Sequence, residues 1–165
     1  VALADTVAGS VSDFVTLMNE KAEKLGMTGT HFSSISGLHR EDHYSTAKDI
    51  ALLLRYAIKN DTFREIIESP YHSTSGTNIH PDGITFYSTM FKNLSDTSVI
   101  DGEIKGGKTG YTSQAGHCLA SFAEIDGVEY ILVTAGAPGT GNPLIDDAVK
   151  LYNRLGESSS VLYGR

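Results

Sequence analysis

Apolar residues recur every three or four positions through the first seventy residues. After residue 100 they alternate or run continuously, so the chain reads as a helical part followed by a sheet. Val11, Phe14, Val15, Met18, Ala22 and Leu25 fall on one helical face, with Ser10 as N-cap, Asp13 in the first turn and Gly26 where the run stops. Val1 to Ala8 reads as the end of a preceding helix. A further helix opens at Ser45 or Thr46 and carries Ile50, Ala51, Leu54, Ala57 and Ile58 on one face. A shorter one runs from Asp61-Thr62 through Ile66 and Ile67 and is ended by Pro70. Thr28 to Tyr44 is polar and contains glycine, a long loop that packing of Phe32, Ile35 and Leu38 is expected to pin.

The second part is predicted to be strands. Pro81-Asp82-Gly83 joins Tyr71–Ser75 to Ile84–Ser88 as a hairpin lying off the main sheet. After an irregular stretch come strands at about 105–113, 115–125 and 128–135, the last two joined at Asp126-Gly127, the strongest hairpin signal in the chain. The 128–135 strand is almost continuously apolar and so expects cover on both faces and a neighbour on its far edge. No later segment supplies that neighbour, so the edge is expected to be covered by further polypeptide of the same domain or by a second copy in a homo-oligomer. Leu144, Ala148, Val149, Tyr152 and Leu155 mark a closing helix over 142–156, and Ser158-Ser159-Ser160 reads as part of a loose tail over 157–165. The expected fold class is α+β, an antiparallel sheet flanked by helices in one domain. Its helical part is 1–70, its hairpin and irregular connection 71–104 and its meander 105–135.

Composition narrows the function. At 165 residues the chain suits one domain, and its net charge of −7 argues against nucleic acid as a partner. The single cysteine, Cys118, lies in a predicted strand interior and reads as a buried, inert thiol. A Cys118–His117 nucleophile pair is disfavoured because adjacent strand residues point to opposite faces. His31, His39, His43, His72, His80 and His117 show no tight ligand spacing, so no metal or other cofactor is expected. No segment approaches the roughly 18 consecutive apolar residues of a membrane span.

The strongest chemical signal is Gly106-Gly107-Lys108-Thr109-Gly110-Tyr111-Thr112. On an extended segment Lys108 offers an ammonium and Thr109 a hydroxyl to a carboxylate, while Gly110 lets a substrate backbone lie close. Such a K-T-G triplet accompanies a nucleophilic S-x-x-K serine in penicillin-binding proteins and class A β-lactamases. Ser45-Thr46-Ala47-Lys48 satisfies S-x-x-K literally, but its place at a helix start reads as a cap.

Together with that strand, Asn19-Glu20-Lys21-Ala22, Leu25-Gly26-Met27, Thr30-His31-Phe32, Ser36-Gly37-Leu38, His43 to Ala47, Asp49-Ile50-Ala51, Phe63-Arg64 and Ala115-Gly116 resemble, in order, the serine D-alanyl-D-alanine carboxypeptidases. These are the low-molecular-mass penicillin-binding proteins. The resemblance runs from Val1 to about Leu155 and implies a β-lactamase/transpeptidase-like fold. It implies a hydrolase of the bacterial cell envelope, on the extracytoplasmic face of the membrane. Its partners would be peptidoglycan stem peptides ending in D-Ala-D-Ala, and β-lactams. Lys108, Thr109, Gly110 and Thr112 would bind substrate, Lys108 also serving catalysis, and the Tyr111 backbone N–H would be one of two oxyanion donors. In this family the S-x-x-K and S-x-N motifs lie upstream of the matched region. The expectation is therefore a domain truncated at its N-terminus, without its nucleophile and inactive alone. A class A β-lactamase-like hydrolase and a noncatalytic envelope peptide-binding module stand as alternatives.

Overall fold

The computed structural model describes residues 1–139 and 141–163, with side chains through Ser158. Helices α1 (Ala2–Ala8) and α2 (Val11–Lys24) are followed by α3 (Ala47–Ala57) and α4 (Asp61–Glu68). Their starts follow from short polar side chains that accept from an otherwise unpaired N–H. Ser10 Oγ accepts from the Asp13 N–H at 3.0 Å, Thr46 Oγ1 from Asp49 at 3.1 Å and Asn60 Oδ1 from Phe63 at 2.9 Å. Thr46 is thus the cap of α3. Ser45 instead shares a 2.8 Å hydrogen bond with the Thr30 hydroxyl.

The loop before α3 is pinned differently from the sequence expectation. Phe32 and Ile35 are half-buried, but Leu38 is 69% exposed. Polar anchors hold the loop instead, because its backbone groups need partners that no helix or sheet supplies. Asn19 accepts from the Phe32 N–H at 2.8 Å and donates to the Phe32 carbonyl at 2.7 Å. Buried Asp49 accepts from the Gly29 N–H at 2.8 Å and the Thr30 hydroxyl at 2.7 Å.

Strands β1 (Tyr71–Ser73) and β2 (Thr85–Tyr87) form a separate, exposed hairpin, shorter than predicted. A short helix α5 (Thr89–Asn93) and a two-residue strand β3 (Ser98–Val99) occupy the stretch read as irregular. The main sheet then runs antiparallel through β4 (Gly102–Thr112), β5 (Gly116–Ile125) and β6 (Val128–Ala137), in the order β3-β4-β5-β6. Asp126 and Gly127 turn the β5–β6 hairpin at φ of 51° and 74°. On one face of the sheet, Met90, Ile104, Leu119, Ala123 and Ile125 pack with Leu144, Ile145, Ala148 and Tyr152 of α6 (Pro143–Tyr163). On the other, Phe122 packs with Leu54 and Ile58, bordered by Ile67, Ala120 and Ile131.

The apolar β6 is therefore covered on both faces, Ile131 by the α3 side and Tyr130 and Leu132 by the α6 side. Among the described residues no strand lies along its outer edge. Helix α6 continues to Tyr163 rather than giving way to a tail after 156. The Ser158 hydroxyl donates back to the Arg154 carbonyl at 2.8 Å, so a serine there need not end the helix. Residues 164–165 of the predicted tail lie outside the described residues.

Candidate active site

Strand β4 changes surroundings along its length. Ile104, Gly106 and Gly107 are buried, whereas Lys108, Gly110 and Tyr111 are exposed. Pairing with β3 is confined to Ser98↔Glu103 and Val99↔Gly102. Beyond Glu103, among the described residues, the outer edge of β4 has no strand beside it. Along the inner edge, β5 sets Lys108 opposite Ala120, Thr109 opposite Leu119, Gly110 opposite Cys118 and Tyr111 opposite His117. Because side chains alternate, Lys108, Gly110 and Thr112 share the face on which Ala120 meets the Phe122 cluster, and Thr109 and Tyr111 take the other.

The Lys108 ammonium donates to the Thr109 carbonyl and makes no ion pair among the described residues. Thr109 is half-buried beside it. Around Gly110 the space where a side chain would begin is empty to 4 Å among the described residues. The Tyr111 ring is 65% exposed and lies 4.6 Å from the His117 ring, centroid to centroid. Thr112 is occupied locally, since its Oγ1 accepts from the Ala115 N–H at 3.0 Å and closes the turn into β5. Cys118 is half-buried, less enclosed than its strand setting suggested, with Sγ 3.5 Å from the Ala115 carbonyl near the open end of β5. Its neighbour His117 takes the opposite face and sits 3.2 Å from the Gly139 carbonyl through Nε2, so no cysteine–histidine pair is assembled.

The free edge of β4 borders a cleft of about 710 Å³. Gly107, Lys108 and Thr109 form its strand side, with Ile66 and Ile67 of α4 and Phe86 and Tyr87 of the hairpin among the facing residues. Helix α4 is fixed there by Arg64. Its guanidinium meets Glu129 of β6 at 2.8 Å and Glu68 at 3.1 Å, its Nε donates to the Ile58 carbonyl at 3.0 Å, and its plane lies 5.2 Å from the Phe122 ring centroid. The hydrogen bond to Glu129, opposed by desolvation and supported by Glu68, raises the Arg64 pKa above its ordinary value. Sequence reasoning found the Lys108 strand but not these opposing walls. The available signal was the aromatic content of an exposed short hairpin, Tyr71, Phe86 and Tyr87.

The literal S-x-x-K run stays away from the cleft. Thr46 caps α3, Ser45 bonds Thr30, and neither they nor exposed Lys48 line the Lys108 cavity. His31 and His43 serve the loop, the first through the Asp42 carbonyl and the second by accepting from the Ser33 N–H at 3.1 Å. Among the described residues, no group of three or more metal-binding side chains gathers, and no helix is long and apolar enough to cross a membrane.

The sequence matches the family model of the D-alanyl-D-alanine carboxypeptidases, peptidase S11, over residues 1–139. It is 31% identical over 140 residues to the D-alanyl-D-alanine carboxypeptidase DacF of Bacillus subtilis, covering 83% of this chain and 33% of that protein. To DacD of Escherichia coli it is 33% identical over 151 residues, covering 92% of this chain and 36% of the relative. The fold superposes on the crystal structure of the Streptomyces K15 DD-transpeptidase with a TM-score of 0.77 at 25% identity, covering 95% of this chain and 61% of the other. The chain thus spans about a third of the length of these curated relatives.

Proposed function

The chain belongs to the D-alanyl-D-alanine carboxypeptidase family, and on that premise we propose that it forms one wall of a site that trims terminal D-alanine from peptidoglycan stem peptides. The reaction proceeds through an acyl-enzyme, as in the family the sequence resembles. Lys108 supplies positive charge to the substrate carboxylate and to the attacking group from one face of β4, and Thr109, on the other face, donates its hydroxyl to that carboxylate across the free strand edge. The empty space at Gly110 lets the peptide backbone approach the strand. The Tyr111 N–H is one of two donors to the oxyanion, a contribution typically of about 3 kcal/mol to transition-state stabilisation. Thr112 lines the same edge, although its hydroxyl is already an acceptor within the turn. A β-lactam resembles the dipeptide and acylates the same serine, so the complete site binds penicillin. Its substrate is cell-wall material, which sets its place of work at the extracytoplasmic face of the cell envelope.

One observation carries this reading: an ammonium without an ion-pair partner among the described residues, followed by a hydroxyl and an unobstructed glycine, on a free strand edge bordering a cleft. The sequence has no S-x-N, and its one S-x-x-K run is used as a helix start. Acyl transfer therefore needs a serine brought to Lys108 from outside this sequence, and the isolated chain turns nothing over. The test is fluorescent penicillin with the chain alone, and with an added polypeptide carrying S-x-x-K and S-x-N. The expected outcome is no label on the chain and Lys108-dependent label on the added serine. Stoichiometric labelling of the isolated chain, or labelling of the mixture that survives Lys108→Met, refutes the proposal.

A further inference from the structure

The β1–β2 hairpin is a two-stranded sheet of its own, exposed at every strand residue. A hairpin of that kind is marginal in water, so its order needs local support. The Ser88 N–H donates to the Pro70 carbonyl at 2.9 Å across its root, the Thr74 N–H to the Ile84 carbonyl at 2.9 Å, and the Ile84 N–H to Thr74 Oγ1 at 2.9 Å. The backbone is thereby set before any ligand arrives.

Register then decides what each face offers. Tyr71 pairs with Tyr87 and Ser73 with Thr85, and because side chains alternate these four share one face, with His72 and Phe86 on the other. The two tyrosine rings lie 6.2 Å apart, centroid to centroid, tilted by 43°, and their residues are 61% and 68% exposed. Beside them the Ser73 and Thr85 hydroxyls share a 2.7 Å hydrogen bond, which uses one of their protons and leaves the other to donate outward. Between 71 and 88 the sequence holds no lysine or arginine and a single acid, Asp82. The surface is aromatic and hydroxylated but nearly uncharged.

That chemistry selects among occupants. An anionic lipid surface or a nucleic acid requires lysine or arginine beside the rings, and the hairpin has neither. A sugar requires what is present: aromatic rings against which the C–H face of a pyranose lies, and neutral donors and acceptors for its hydroxyl and amide groups. Tyr71 and Tyr87 also border the Lys108 cleft, so the face adjoins the path of the peptide. We infer that this hairpin face binds the glycan that carries the stem peptide, a β-linked chain of N-acetylated amino sugars, as a contact separate from the Lys108 strand. The choice of that glycan rests on the carboxypeptidase reading above.

The experiment is an amide-resolved NMR titration of this chain with N-acetylchitotetraose, a β-linked tetramer of N-acetylglucosamine, and with maltotetraose, whose α-linked glucose units lack the amide. The first should shift the amides of 71–73 and 85–87 and bind about tenfold more tightly than the second, as its extra amide contacts predict. Tyr71→Ala/Tyr87→Ala should weaken it about tenfold or more, whereas Tyr71→Phe/Tyr87→Phe keeps the rings and should stay within about threefold of the parent. Because the tyrosine pair also steadies the hairpin, the shift map of the parent fixes the location independently of the alanine variant. No shifts at millimolar sugar, shifts centred elsewhere, equal affinity for the two sugars, or unchanged binding by the alanine variant overturns the inference. Broadening of the same amides with protein concentration alone assigns the face to a second copy and overturns it too. All of these leave the Lys108 role standing, since the titration involves no acyl transfer. Failed penicillin labelling with sugar binding intact overturns the carboxypeptidase reading alone.

Discussion

The two halves of β4 use glycine for opposite reasons. In the buried half, a side chain starting at Gly107 would come within 2.7 Å of both the Ala120 carbonyl and the Met90 sulfur. At Gly106 it would come within 2.6 Å of the Ile67 carbonyl. There the missing side chain is demanded by neighbours within this molecule, which bring α4, α5 and β5 close to the strand. In the open half, Gly110 has nothing within 4 Å among the described residues and no φ in the left-handed region. No internal contact requires a glycine at that position, so its use lies with something outside the chain, as close approach of a peptide backbone would have it.

The largest effect should come from the closed side. Phe122 is fully buried, under the Arg64 guanidinium and against Leu54 and Ile58, so Phe122→Ala should cost about 3–5 kcal/mol in urea unfolding. Tyr111→Ala, an aromatic truncation on the exposed stretch, should stay within about 0.5 kcal/mol of the parent. Equal losses at the two positions would erase the distinction between the halves. Next come the glycines themselves. Gly107→Ala should destabilise by about 1–3 kcal/mol through overpacking, while Gly110→Ala should unfold at the parent's midpoint and bind N-acetyl-D-alanine more weakly. A Gly110→Ala variant that binds normally would remove the argument for an approaching ligand, and a Gly107→Ala variant of parental stability would remove its counterpart.

Much of the fold, and the Lys108 strand within the site, was legible in the residues, but the contrast between the two halves of β4 was not. Helices α2 and α3 announce themselves by apolar period and by Ser10 and Thr46, and the Lys108 strand by its glycines and charge, because these are local signals. Helix α5 and strand β3 were not legible, since five and two residues are too few to carry a period. The cleft was hidden for another reason. Its far wall is set by Arg64 reaching Glu129 and by a hairpin packed near β4, contacts between segments distant in sequence that no window of residues contains. Leu38 departs from the expectation because an apolar side chain in a polar loop has no neighbouring element to pack against among the described residues and stays exposed. Asn19 and Asp49, whose side chains reach the loop backbone from neighbouring helices, hold it instead.

The smallest effect near neutral pH sharpens the comparison from beneath the sheet. Tyr152 is buried among the α6 contacts, and its hydroxyl lies 3.0 Å from that of Ser121. Tyr152→Phe should cost about 1 kcal/mol at pH 7 through loss of the phenol's buried hydrogen bonding. Burial, opposed by the bonds to Ser121 and Leu132, pushes the phenol from 10.0 up to about 12. Above pH 10 the unfolded chain releases this proton while the folded protein retains it, so stability falls as pH rises. The contribution is complete below pH 10 and is lost progressively as pH approaches 12. Urea midpoints between those limits should therefore decline more steeply for the parent than for Tyr152→Phe. The parent's advantage over Tyr152→Phe should shrink across this window. Parallel slopes would mean that water reaches the phenol, and that the closed half is less tightly sealed than its glycine contacts require.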